Sequence, residues 1–198
     1  MRLIILLIII FVIIFIFYKC NYSQMTYVKS TIDDNYYRVR DLPDKLIAAN
    51  MIAKIRQNIL ELVDYMYDNI ETKYKEYKEN IERLKNRAHL VVMSENNGRG
   101  KETSYTVNKG DELVICLRSK VNYDKFHDIN IIEYVVLHEI SHIASPLYEE
   151  NHNNHGPIFK KIFAFIANVA VETGYYKKIN FKEHPQEYCG ITINESII

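Results

Sequence analysis

Hydrophobic and polar positions divide the chain into stretches of different period. Residues 3–18, LIILLIIIFVIIFIFY, are an unbroken apolar and aromatic run flanked by Arg2 and Lys19. At 1.5 Å per residue a helix of this run is about 24 Å long, a little short of a hydrocarbon core of about 30 Å. Tyr18, Arg2 and Lys19 can extend its reach into both interfaces. No small-residue cleavage site follows, because Lys19, Cys20, Asn21 and Tyr22 come next. The run is therefore expected as an uncleaved transmembrane helix over residues 1–20, anchoring a single-pass membrane protein, rather than as a removed signal peptide. Positive charge on both flanks leaves the orientation open. Residues 21–42 are polar and mixed, without apolar periodicity, and read as a tether to a domain over 43–198.

Asp41-Leu42-Pro43-Asp44 marks a helix start, with proline in the first turn. Beyond it Leu46, Ile47, Ile52, Ile55, Ile59, Leu62, Val63 and Met66 recur at steps of three and four, one apolar stripe of an amphipathic helix. TKYKEYKENIERLKNR (72–87) is a more charged helical segment with a solvated face, closing a helical part over 43–87. The period then changes. HLVVM (89–93) is a short β-branched run, and SYTVNKGDELVICLR (104–118) reads as strand, tight turn at Asn108-Lys109-Gly110-Asp111, and strand over 112–118. A small antiparallel sheet of two or three strands is expected there, with Cys116 as a buried, inert thiol. Residues 128–144 return to helical spacing, capped by Asp128 or Asn130 and ended by Ser145-Pro146. Gly156-Pro157 opens a further, largely buried helix over 158–173, stopped by Gly174. YCGITI (188–193) is strand-like. The catalytic core is placed at 88–198, and the fold class is α+β.

Composition changes this picture little. The 198 residues are 48% hydrophobic and 25% charged, a globular composition that argues against disorder. Lysine and arginine number 25, as do aspartate and glutamate, and two of the basic residues belong to the flanks of the first helix. The remainder is slightly acidic, a poor footprint for a protein whose main ligand is a nucleic acid. Three scattered cysteines make neither a disulfide framework nor a cysteine-based zinc finger. His89, His127 and His184 read as surface or core histidines, and Lys160-Lys161 as a solvated helix face. Asn21-Tyr22-Ser23 and Asn194-Glu195-Ser196 have the form of glycosylation sequons.

The candidate chemistry lies in the fourth helix. His138-Glu139-Ile140-Ser141-His142 is an HExxH pattern. Residues four apart project from one face of a helix, so His138 and His142 can offer imidazoles to one zinc ion. Glu139, close to that face, can act as general base on a zinc-bound water, the hydroxide then attacking an amide carbonyl. Two histidines and a glutamate in so apolar a helix are costly unless something pairs them, and a metal does. A catalytic zinc takes a third protein ligand and leaves one position open. The extended HExxHxxGxxH pattern fails at Ser145 and Tyr148. His155, His152, Glu149, Glu150 and, from the next helix, Glu172 are the candidates. His155, just before Gly156-Pro157, is favoured because a folded-back loop would bring it to the metal. Tyr175, Tyr176 and Tyr188 follow the site and could stabilise an oxyanion, but spacing selects none of them.

HEISH followed by HGPIF resembles the SprT-like and WLM zinc metalloproteases, including the Spartan branch, whose third ligand lies in a similar HGPxF segment. SYTVNKG…LVICLR and EYCGITI look like the small WLM-type proteins of some large DNA viruses. The resemblance covers about residues 88–193 and implies a zincin-like fold, a small sheet packed on the HExxH helix. It implies zinc held by His138, His142 and His155, and Glu139 as general base. The expectation is thus a membrane-anchored zinc metalloendopeptidase acting on protein or peptide substrates. Two alternatives remain: a non-catalytic, zinc-stabilised binding domain on a membrane, and a DNA–protein crosslink protease of the SprT/WLM type.

Overall fold

Secondary structure follows the apolar period where one helix face or one strand face must be buried. The computed structural model of the chain describes residues 2–21, 24–122, 125–146 and 155–198. Helix α1 spans Arg2–Asn21, so the first apolar run is helical as expected. Its described side chains, among them Leu7, Phe11 and Ile14, are exposed, and none of them joins the core. The uninterrupted apolar stretch is too short to match a bilayer core. Among the described residues no helix is long and apolar enough to cross a membrane. The expected transmembrane anchor, the membrane as a partner and the single-pass localisation are corrected on that finding.

Residues 21–42 also differ from the expected tether, since they carry strands β1 (Met25–Lys29) and β2 (Tyr36–Arg40). These pair antiparallel, Tyr27 opposite Arg38. Tyr37 and Val39 point inward and are buried. Helix α2 (Lys45–Asp68) buries Ile52, Ile55, Ile59, Leu62, Val63 and Met66 of the stripe read from the sequence, whereas Leu46 and Ile47 in its first turn are exposed. Each buried side chain of the stripe contributes about 1.5–3 kcal/mol relative to exposure. The charged segment begins with a short 3-10 turn at Lys75–Tyr77 and continues as α3 (Lys78–Ala88), turning Ile81 and Leu84 inward.

The main sheet is larger than expected, and it is mixed. Strands β3 (Val92–Glu95), β4 (Tyr105–Val107) and β5 (Glu112–Ile115) complete five strands in the order β1-β2-β3-β5-β4. β3 runs parallel to β2 and to β5, while β4 pairs antiparallel with β5. The β2-to-β3 connection passes through α2 and α3, which is the long crossover a parallel pair requires. The β4–β5 turn places Asn108 and Lys109 at positive φ, 46° and 51°. β4 is thereby left as an edge strand.

Helix α4 (Ile129–Ala144) starts at Asp128, whose Oδ1 accepts the Asn130 N–H at 2.9 Å. It packs on β4 and β5, with α3 on one side and α5 (Pro157–Glu172) on another. Strands β6 (Gln186–Tyr188) and β7 (Ile191–Ile193) form a separate hairpin. Cys116 is not a free thiol. It forms a disulfide with Cys189, 73 residues away, which ties this hairpin to the end of β5.

A buried ion network joins the sheet to α2. Arg118 donates from Nε to Glu95 at 2.8 Å and from both terminal nitrogens to Asp44, each at 2.8 Å. The second Glu95 oxygen accepts the Arg40 backbone N–H at 2.8 Å. Arg118 also lies 3.9 Å from the centroid of the Phe126 ring.

Candidate metal centre

α4 is amphipathic in an unusual sense: most of it is buried, and the half-buried turn that carries two imidazoles opens onto a cleft. His138 and His142 project from one face, their Nε2 atoms 3.2 Å apart. His155 comes from the segment just before α5, where Gly156 caps the helix and Pro157 takes its first turn. Its Nε2 lies 3.0 Å from that of His138. The ligand atoms of the three all fall within 4.8 Å of one another.

Three imidazole nitrogens this close repel one another's lone pairs unless a cation lies between them. Nitrogens bound at about 2.0–2.1 Å around a tetrahedral zinc sit about 3.3 Å apart, close to the separations found here. Burial pushes His138 down to about 4, helped by the neighbouring His155. Burial, followed by His138, His155 and Lys109, pushes His142 down to about 3. Both rings are therefore neutral at pH 7 and keep the lone pairs that coordination uses. The donor set fits a zinc ion.

Phe159, one turn into α5, holds these rings in place. It stacks on His142 at 4.3 Å between centroids and lies 4.9 Å from His138 and 5.0 Å from His155. Phe159 is 2% exposed, so the three imidazoles share an apolar floor.

Glu139 faces the same cleft and is 6% exposed. Burial raises its carboxyl to about 7, while a hydrogen bond from Thr106 Oγ1 to Oε2, 3.0 Å long, pulls it back down. A carboxyl in that range can take up and release a proton near neutral pH. The cleft has a volume of about 370 Å³ and is walled by Tyr105 and Thr106 of β4 opposite the histidines. A second cavity of about 350 Å³ shares His138 and His155 and is lined by Phe159, Phe163 and Ile197. A larger one of about 610 Å³, beside Glu133 on α4, contains none of the three histidines.

His138, Glu139, His142 and His155 are thus brought together. Glu172 is not, because it pairs with Lys73, Tyr65 and Tyr74. His152, Glu149 and Glu150 lie outside the described residues. Of the three tyrosines, Tyr175 lines the Glu133 cavity, Tyr176 packs on Tyr134, and Tyr188 is buried against Ser104. None of them lines the histidine cleft. Sequence reasoning missed Thr106 and treated Phe159 as core alone. The signal for Phe159 was its place as the phenylalanine of the HGPIF segment, four residues after His155.

No protein-family model matches the chain. It is 41% identical over 195 residues to uncharacterized protein R325 of Acanthamoeba polyphaga mimivirus, covering 98% of this chain and 95% of that one. Among solved structures, the crystal structure of Wss1 from Saccharomyces cerevisiae aligns with a TM-score of 0.46 and 20% identity. That alignment covers 69% of this chain and 89% of Wss1.

Proposed function

The chain belongs to the same family as uncharacterized protein R325 of the mimivirus, and from the geometry of its histidine cluster we propose that it is a zinc-dependent metallopeptidase that hydrolyses peptide bonds in protein substrates. The observation that supports this reading is the convergence of His138, His142 and His155 beside a buried carboxyl. The kinship itself supplies no activity.

In this reading the three histidines hold zinc, which when bound supplies a Lewis acid that makes water nucleophilic at neutral pH. The residues of the chain do the rest. Glu139 takes a proton from water in the cleft and returns it to the leaving amine. Thr106 Oγ1 fixes which carboxylate oxygen does so, by donating to Oε2. Phe159 keeps the imidazoles from turning away. β4 is an edge strand bordering the cleft, so its outer backbone edge can pair with an extended peptide. The cavity of Phe159, Phe163 and Ile197 would take an apolar side chain of that peptide.

The test combines metal content with cleavage of an unfolded protein such as casein. One zinc per chain and chelator-sensitive cleavage are expected, with His155→Ala losing both. Cleavage unaffected by His155→Ala would refute the assignment, and stoichiometric zinc with no cleavage would favour a binding domain.

A further inference from the structure

The start of β4 is enclosed by a ring of bonds that the peptidase reading leaves unused. Ser104, immediately before β4, is buried. Its Oγ accepts the Cys116 N–H at 2.9 Å and lies 2.6 Å from Tyr188 Oη in a second hydrogen bond. Tyr188 is followed in the chain by Cys189, whose disulfide returns to Cys116. The circuit Cys116–Ser104–Tyr188–Cys189 therefore closes through two hydrogen bonds, one peptide link and one bond that a reductant can open.

Its geometry depends on each member. Cys189 and Gly190 form the two-residue turn between β6 and β7, at φ 54° and 87°. The left-handed region is natural for glycine and disfavoured for a side-chain-bearing residue. Cys189 is held there by the disulfide and by its N–H, which donates to His127 Nε2 at 3.0 Å. The His127 ring lies 4.8 Å from that of Tyr188. Tyr188 is 1% exposed, so its hydroxyl is out of reach of a substrate; it bonds Ser104 and also lies close enough to the Glu139 carboxyl to feel its charge. One and two residues beyond Ser104 are Tyr105 and Thr106, which line the cleft, and Thr106 holds the Glu139 carboxyl.

We propose that Ser104 and Tyr188 are positioning residues for the substrate-facing strand, and that the Cys116–Cys189 disulfide makes their hold on β4 sensitive to redox state. A dithiol reductant opens the ring. The S–S bond breaks, each sulfur takes up one electron and one proton from the dithiol, and the reductant closes to its own disulfide. The hairpin is then released from β5, the Tyr188–Ser104 bond loses its tether, and the edge strand loosens. The kinetic consequence rests on the peptidase reading, while the structural consequence does not.

The test compares the zinc-loaded full chain in oxidised form, after a phosphine reductant, and as Tyr188→Phe, which keeps the disulfide. Amide hydrogen exchange over residues 104–107 is measured together with zinc content and peptide kinetics. Reduction and Tyr188→Phe should each speed exchange over 104–107 about fivefold, as expected for loss of one buried hydrogen bond. KM should rise by a similar factor, with kcat changing less and zinc content unchanged. Exchange over 104–107 equal in all three forms overturns the proposal, even if reduction lowers the melting temperature. So does alkylation mapping that finds Cys116 and Cys189 as free thiols in the purified chain. If the reduced chain unfolds, Tyr188→Phe decides alone. A parent that cleaves no peptide defeats the peptidase reading, and the exchange measurement still decides this one.

Discussion

Burial of single polar groups governs the behaviour of α4. Glu133 is 8% exposed, and burial raises its carboxyl to about 7 against a weak hydrogen bond from Asn58. A carboxyl with a raised folded value binds more protons in the folded than in the unfolded chain between about pH 4.5 and pH 7. Stability from this group is therefore complete below about pH 4.5 and is lost as pH rises through 7. Glu133→Gln, which cannot ionise, should unfold at higher denaturant than the parent at pH 8, by about 1–2 kcal/mol, and match it near pH 5. Equal midpoints at pH 8 would show that Glu133 is adequately solvated. Phe159 is a residue-scale feature of another kind, since it serves core and cleft together. Phe159→Ala should cost about 3–5 kcal/mol and also weaken zinc retention in a chelator competition. A destabilised variant that holds zinc as tightly as the parent would remove Phe159 from the metal site.

At the scale of elements, the buried ion network fastens the start of α2 to the ends of β3 and β5. Arg118→Ala takes the guanidinium away from the buried Glu95 carboxylate and should cost about 3–5 kcal/mol in urea unfolding. Adding Glu95→Ala should recover part of that loss, whereas strictly additive costs would mean the two charges are not coupled. Elements were legible where one period dominated: the stripe of α2 from Ile52 onward, the HExxH turn of α4, and Gly156-Pro157 ahead of α5 all lie where the sequence puts them. β1 and β2 were not, because the buried–exposed alternation of Tyr37, Arg38 and Val39 is too short to stand out and the next residue, Arg40, is itself buried. Parallel pairing of β3 with β2 and β5 joins strands separated by helices or by another strand, and no local pattern records it. The same distance hides the disulfide, since Cys116 reads locally as one apolar strand residue among others.

Across the whole molecule, the site is assembled from three places far apart in sequence. α4 supplies two imidazoles and the carboxyl, the segment before α5 supplies the third imidazole, and β4 supplies the wall and the Thr106 hydroxyl. Of these, the first was fully legible, the second was legible as a preference among several candidates, and the third emerged only from the packing of β4 on α4. Among the described residues no α1 side chain belongs to the core on which this assembly rests. The central claim is that this assembly hydrolyses peptide bonds with Glu139 as the proton carrier. Its most direct test is the cleavage rate of the zinc-loaded chain against Glu139→Gln carrying equal zinc. The account predicts a loss of about 10²–10⁴-fold with fold and metal content unchanged, and cleavage by Glu139→Gln at the parental rate would contradict it.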